Sequence, residues 1–209
     1  MSWEDFLYLK RNEIIMNIIN IPCIKGEKID LCVLRTDDEA IRLYTKWMND
    51  EDINMWVHHN DCTDQYDQEV EWATRKRERN ENVWIIVEKE TEKMIGSCRC
   101  SGNRNVTLGI CIGEAEGRNK GYGTEAIKLI TKFAFEEKNA HRVSLYVLAD
   151  NLRAYNCYKK IGFKKFSCER EAGYYHGHYV DIIGMDMLKK EYFKLYKPQK
   201  EDLEKLSKL

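Results

Sequence analysis

The heptapeptide Arg-Asn-Lys-Gly-Tyr-Gly-Thr occupies residues 118–124 and joins two segments with different hydrophobic patterns. An apolar run from Val106 to Ile112 precedes it and an amphipathic run from Glu125 to Glu136 follows it. This order predicts a strand, a turn punctuated by glycine and the start of a helix. Backbone N–H groups at a helix N-terminus, with the positive end of the helix dipole behind them, form an anion site. Since glycine has no Cβ, Gly121 and Gly123 would let the backbone approach a phosphate closely. The heptapeptide is therefore predicted to hold a pyrophosphate.

Two common phosphate-binding loops are excluded. A P-loop requires Lys and then Ser or Thr after its last glycine, whereas Thr124 and Glu125 follow Gly123. The dinucleotide fingerprint requires a third glycine, which is absent. A tight turn that binds nothing remains the alternative while the heptapeptide is considered alone.

A second motif lies downstream and makes the first more specific. Residues 141–147 alternate as a strand, and the segment from Asn151 to Phe163 follows. With both segments the chain resembles the GNAT N-acetyltransferase superfamily over roughly residues 28 to 188. The family pattern Q/R-x-x-G-x-G/A is matched by Arg118, Gly121 and Gly123. The pattern N-x-x-A-x-x-x-Y-x-x-x-G-F is matched by Asn151, Ala154, Tyr158, Gly162 and Phe163.

Three further segments are similar to the branch that holds the ribosomal-protein N-terminal acetyltransferases and the spermidine acetyltransferases. They are the segment from Gly121 to Ala126, the tripeptide Phe133-Ala134-Phe135, and the segment from Gly177 to Asp181 before Met185.

The resemblance implies an α+β fold, the GNAT fold: a central, mixed, mostly antiparallel twisted sheet, splayed at its two parallel middle strands and flanked by helices. The thioester arm of acetyl-CoA, the co-substrate, would lie in the splay. By the resemblance, the backbone of Cys111, Ile112 and Gly113 would hold the arm. The pyrophosphate would lie on Arg118, Asn119, Lys120, Gly121, Tyr122, Gly123 and Thr124.

The resemblance also assigns the chemistry. Tyr158 is the expected general acid, protonating the departing thiolate. Asn151 is expected to bind the cofactor arm, to cap a helix, or both. Some family members carry a glutamate general base at the position of Tyr146. Glu114, His58 and a chain of water molecules are the alternatives for the base.

The expected activity is the acetylation of a primary amine, which could be a protein N-terminus, a polyamine or a small amine such as an aminoglycoside. The connection at residues 49–67 has no Lys or Arg and would attract a cation, although it is equally typical of a solvated loop. Its acids are Asp50, Glu51, Asp52, Asp61, Asp64 and Asp67. The rival hypotheses are a non-catalytic acyl-CoA-binding module and a structural domain without a ligand.

Composition fits one domain of a cytoplasmic protein. The 209 residues carry a net charge of −1, which argues against a general nucleic-acid surface. No apolar run approaches the roughly 20 residues of a membrane span, and residues 1–10 lack a signal-peptide layout.

The eight cysteines include no C-x-x-C pair, so we expect reduced thiols and no metal. His176 and His178 with Asp181 are better explained as hairpin residues, and a homodimer stays open.

The chain divides into an N-terminal extension at 1–27, an acetyltransferase domain at 28–188 and a charged helical tail at 189–209. The extension should hold a short helix that Pro22 ends, and Met16 is an alternative start. Predicted helices cover 37–48, 65–79, 124–138 and 152–160. Predicted strands cover 29–34, 83–88, 94–101, 106–112, 142–148, 163–174 and 178–188.

Overall fold

The computed structural model describes residues 20–51, 53, 65–175 and 177–196. Eight strands form one sheet in the order β1-β2-β3-β4-β5-β6-β8-β7. The strands are β1 Pro22–Lys25, β2 Ile29–Val33, β3 Val83–Glu88, β4 Met94–Gly102, β5 Asn105–Ile112, β6 Arg142–Leu148, β7 Lys164–Tyr175 and β8 His178–Leu188. All neighbours pair antiparallel except β5 and β6, which are parallel.

Helices flank both faces of the sheet. They are α1 Asp38–Met48, α2 Tyr66–Glu78, α3 Tyr122–Lys132, α4 Leu152–Ile161 and α5 Lys189–Tyr196. A 3₁₀ turn spans Ala115–Gly117, and a π-helical segment, Phe133–Glu137, continues α3. The predicted fold class, a mixed and mostly antiparallel sheet with one parallel pair, is confirmed.

Two differences between sequence prediction and structure exceed a shift of one residue at a strand end and concern the N-terminal parts of the sheet and of α3. Strand β1 was not predicted, because Pro22 was expected only to end a helix; it is instead the first residue of an edge strand, where its missing N–H costs no ladder bond. Helix α3 begins two residues before the predicted Thr124, at Tyr122, since Gly121 is its N-cap. The predicted N-terminal helix and the tail after Tyr196 lie outside the described residues.

Strands β5 and β6 separate after a short contact. Their register joins only Asn105 to Arg142, Val106 to Val143 and Thr107 to Ser144. β5 nevertheless continues to Ile112 and β6 to Leu148. The sheet therefore contains a splay, with β4 behind one edge and β8 behind the other.

The two faces of the sheet bury separate cores. On the first face, α3, α4 and α5 cover residues of all the central strands, among them Ile86, Leu108 and Val143. On the second face, α1 and α2 cover β2 to β4 through residues such as Ile41 and Ile85. This second core contains no residue of β6, β7 or β8, so no helix of the described ranges covers that half of the second face. No helix of the described residues is long and apolar enough to cross a membrane.

Gly113, which follows β5, is packed against the indole of Trp47. A Cβ at this position would lie 2.2 Å from Trp47 Cδ2, far inside contact distance. Trp47 is itself buried in the second core. The absence of a side chain at Gly113 thus allows α1 to pack close to the end of β5.

We predict that Gly113→Ala destabilises the fold by about 1–3 kcal/mol, because a buried indole has no space to move into. Gly123→Ala is the control: its Cβ would meet Ile112 Cγ1 at an ordinary 3.6 Å, and alanine favours the helix by up to about 1 kcal/mol. Urea denaturation of both variants measures the difference. Equal midpoints for the two variants would show that Trp47 does not constrain Gly113.

Candidate active site

The loop before α3 presents a row of unused backbone donors. The first helical bond runs from the Glu125 N–H to the Gly121 carbonyl over 3.0 Å. Within the described residues, the N–H groups from Asn119 to Thr124 have no acceptor. Helix N-termini with such free donors bind anions. This row of N–H groups is called the cradle below.

Two left-handed residues shape the cradle. Asn119 has φ 63° and Gly121 has φ 88°. A Cβ at Gly121 would meet no atom within 4 Å, so its backbone angle and not crowding within the protein requires glycine. The open space also leaves the cradle accessible from solvent.

Glu88, at the end of β3, anchors the cradle. The buried hydroxyl of Tyr122 donates to Glu88 Oε1, and Lys120 Nζ lies 3.2 Å from the same oxygen. Thr91 Oγ1 donates to Oε2 over 2.6 Å. The hydrogen bonds from Thr91 and Tyr122 lower the pKa of Glu88 to about 2. Sequence reasoning missed Glu88, because no local motif marks a partner 34 residues away.

The two cations of the heptapeptide differ in their surroundings. Lys120 is paired with Glu88 and lies 5.6 Å from the Tyr122 ring centroid, so its charge is partly neutralised. The side chain of the half-buried Arg118 makes no hydrogen bond or ion pair within the part of the chain that the structure describes. Arg118 is therefore the cation that is available to an anion in the cradle.

The register of β4 and β5 decides which backbone groups face the splay. The Gly113 N–H donates to the Ile95 carbonyl over 2.9 Å. Hydrogen-bonded and non-bonded pairs alternate along an antiparallel ladder, so Cys111, opposite Ser97, also bonds to β4. The N–H and C=O groups of Ile110 and Ile112 therefore point towards β6. Of the predicted triplet Cys111-Ile112-Gly113, only Ile112 has its backbone directed into the splay.

Helix α4 carries Tyr158 and is tied to the cradle. Asn151 Oδ1 accepts the Ala154 N–H over 3.1 Å, which caps the helix. Thr124 Oγ1, in the first turn of α3, lies 3.0 Å from Cys157 Sγ. These contacts hold α4 beside the N-terminus of α3.

Tyr158 is 8% exposed and packs edge-on against Phe163, with ring centroids 6.4 Å apart. Its hydroxyl makes no hydrogen bond to any described residue. Burial raises the pKa of Tyr158 well above its ordinary value, so the phenol is protonated at neutral pH. The side chain can therefore donate a proton to a group that approaches it.

Of the residues considered for a general base, the two that the structure describes, Glu114 and Tyr146, are poorly suited to that role. Trp47 Nε1 donates to Glu114 Oε1 over 2.7 Å, and Lys46 Nζ lies 3.0 Å away. Burial alone would raise the pKa of Glu114, but these two donors lower it overall. Tyr146 is exposed on the second face of the sheet. His58 lies outside the described residues, as do Asp52, Asp61 and Asp64 of the acidic connection.

Cys111 is a protonated thiol. Burial is the main cause that raises the pKa of its thiol to about 12. The nearby charge of Arg118 lowers this pKa slightly, and that of Asp50 raises it. A thiol in this state is a poor nucleophile.

Within the described ranges, no group of three or more His, Cys, Asp or Glu residues could hold a metal ion. His178 instead lies 3.2 Å from Asp150.

Comparison with known families identifies this arrangement. The family model described as "Acetyltransferase (GNAT) domain" matches residues 30–164. The chain belongs to the GNAT acetyltransferase family. It is therefore an N-acetyltransferase, and this family uses acetyl-CoA. The general resemblance found in the sequence is confirmed.

Curated relatives are moderately similar. An N-acetyltransferase 9-like protein of Caenorhabditis briggsae is 28% identical over 142 residues, covering 61% of this chain and 71% of that protein. The uncharacterized N-acetyltransferase p20 of Bacillus licheniformis is 27% identical over 114 residues, covering 53% and 64%.

Solved structures share the fold. A spermidine N-acetyltransferase from Vibrio cholerae, in complex with CoA and spermine, superposes with a TM-score of 0.71 at 20% identity, covering 80% of this chain and 99% of that one. A GNAT-family acetyltransferase from Bacillus anthracis gives 0.69 at 15% identity, with the same coverage. At these identities the likeness concerns the fold alone.

We predict that Glu88→Gln lowers stability most above about pH 4.5 and progressively less towards pH 2. The carboxylate's pKa falls from an ordinary 4.5 to about 2 on folding, so its stabilisation is complete above the unfolded value and is lost as pH falls through the folded one. Urea midpoints measured from pH 2 to 7 give the profile. Glu90→Gln, at an exposed neighbour, is the control, and superimposable profiles for the two variants would contradict the anchoring role.

Proposed function

We propose that the chain transfers the acetyl group of acetyl-CoA directly to a primary amine, with Tyr158 as the general acid. The observation that carries this proposal is the cradle of free N–H groups beside a splay whose edges offer unpaired backbone groups. A pyrophosphate and an amide-containing arm are joined in this way in acetyl-CoA.

The residues present fit two parts of acetyl-CoA, its pyrophosphate and its arm. The cradle and Arg118 suit the pyrophosphate. The backbone of Ile112, together with that of Ile110, suits the arm, which would pair with β5 as an added strand. Of the predicted triplet, Ile112 would therefore bind the arm, whereas Cys111 and Gly113 would have a supporting role. Asn151 would be the cap that orients α4.

A groove of about 630 Å³ continues from the cradle along the outer face of α3. It is lined at one end by Gly121 and Thr124, and further along by Lys25, Lys128 and Lys132. Within the described ranges these three lysines form no ion pair. CoA carries a phosphorylated nucleotide beyond its pyrophosphate. Glu27 and Glu125 also line the groove, but its three lysines outnumber these two acids and leave a positive balance for the nucleotide's phosphate.

Acetyl-CoA supplies a thioester that is already activated for attack by an amine. The contribution of this chain is to hold it, to exclude water and to supply a proton. The hydroxyl of the buried Tyr158, which is protonated and without a partner among the described residues, supports a role as proton donor to the departing thiolate.

The described residues include no suitable general base, and this affects which acceptor amines can react. An α-amine has an ordinary pKa of about 7.7–8.0, whereas an alkyl amine such as lysine has about 10.4. At neutral pH a far larger fraction of the α-amine is therefore in the free, nucleophilic form. Of a protein N-terminus, a polyamine and a small amine, the first is favoured.

We expect Gly121→Asp to weaken CoA binding at least about tenfold, which corresponds to about 1.4 kcal/mol. The added carboxylate would stand among N–H groups that serve an anion. Gly121→Asn is the matched control, because asparagine has the same shape and also tolerates left-handed angles, so its loss should be smaller. Calorimetry with CoA measures both, and equal affinities for wild type and Gly121→Asp would remove the cradle from the cofactor site.

We expect Tyr158→Phe to lower kcat by about 100-fold or more while leaving CoA affinity unchanged, because general acid catalysis typically contributes that much. Acceptors are found with a panel of peptides, polyamines and aminoglycosides by following the release of free CoA thiol. Tyr155→Phe, one turn earlier on α4, is the control for loss of a hydroxyl. Turnover of Tyr158→Phe at the parental rate would place the acid elsewhere.

A further inference from the structure

Arg99 lies on β4, on the second face of the sheet, beside the half that no described helix covers. It is opposite Gly109 in the β4–β5 register. A Cβ at Gly109 would lie 2.6 Å from Arg99 Nε and 3.0 Å from its Cγ. The Arg99 side chain therefore lies flat across Gly109, which brings its guanidinium over β5, the strand that forms one edge of the splay.

Tyr146 stands on the other edge. It follows Ser144, the last residue of β6 that pairs with β5, and it is 45% exposed. Phe166, 42% exposed, lies edge-on behind it with ring centroids 6.1 Å apart. Gly184 lies on β8, between the strands that carry Tyr146 and Phe166. Because it has no side chain, it leaves space for the two rings to meet. The two rings lie on the same face of the sheet as Arg99 and on the opposite edge of the splay.

Arg99 carries the uncompensated charge of this surface. Arg142, on the same face, pairs with Asp186 at 2.6 Å and stacks on Phe166 at 4.2 Å. Lys164 pairs with Glu191 at 2.5 Å. The Arg99 side chain is exposed and makes no hydrogen bond or ion pair with any described residue. A free guanidinium is suited to bidentate binding of a carboxylate.

We propose that Arg99 binds a carboxylate of the acceptor while Tyr146 and Phe166 support its backbone, so that the preferred acceptor is a peptide N-terminus followed by an acidic residue. This inference rests on the proposed acetyl transfer. The amine would then reach the splay between Arg99 and Tyr146. The proposal differs from the basic acceptor that the acidic connection of the sequence suggested, because it is based on the described residues at the splay itself.

Three peptides test this, identical except for their first two residues: Ser-Glu, Ser-Gln and Ser-Lys. For the wild type we expect KM to rise in that order. Arg99→Gln should raise KM for the Ser-Glu peptide about tenfold or more, as expected for a charged hydrogen bond, and change that for Ser-Gln less than about twofold. Arg99→Glu should reverse the order. CoA affinity should stay unchanged in both variants.

Arg104→Gln is the matched control, since Arg104 is exposed on the same hairpin at the far end from the splay. Thermal unfolding checks that the variants fold, and Arg99→Lys should keep part of the preference. The inference is overturned if the wild type favours Ser-Lys, if Arg99→Gln leaves the order intact, or if none of the three peptides is acetylated. Acetylation of other amines by the same preparation would then leave the proposed transfer standing, whereas no acetylation of any amine would remove both.

Discussion

The parting of β5 and β6 after three residue pairs is the constraint on which the rest of the structure depends. Each edge of the splay is held by its outer neighbour. A bulge in β4 at Ile95 lets that carbonyl accept the N–H groups of both Gly113 and Glu114, at 2.9 and 3.2 Å. On the other side, β6 pairs with β8 up to Leu148.

Backbone groups between the edges have no strand to bond with, and unpaired polar groups are costly away from water. An extended ligand with amide groups can satisfy them, as an added strand does in other sheets. The same opening connects the two faces of the sheet. The cradle and Tyr158 lie on the first face, whereas Arg99 and Tyr146 lie on the second, so the splay is the route by which the two sets of residues can act on one reaction.

Among the described residues, the site has a group that can donate a proton but none that is well suited to accept one. Burial raises the pKa of the Tyr158 phenol and keeps its proton, while Glu114 is occupied by Trp47 and Lys46. A site of this kind can deliver a proton to a leaving group more readily than it can accept one from an incoming amine. Under the proposed transfer, this favours an acceptor with a weakly basic amine.

The sequence by itself determined the family and the order of the elements from β2 onwards. The strands Val83–Glu88 and Arg142–Leu148 have the bounds that were predicted, because alternation and turn residues are local signals. The two motifs identified the family because their glycine, asparagine and tyrosine spacings are also local. Only the tertiary structure revealed that Glu88 anchors Tyr122 and that Arg99 lies over Gly109. It also showed that Ile112, rather than its neighbours, directs its backbone into the splay, since strand register and long-range pairing decide these contacts and neither leaves a periodic trace along the chain.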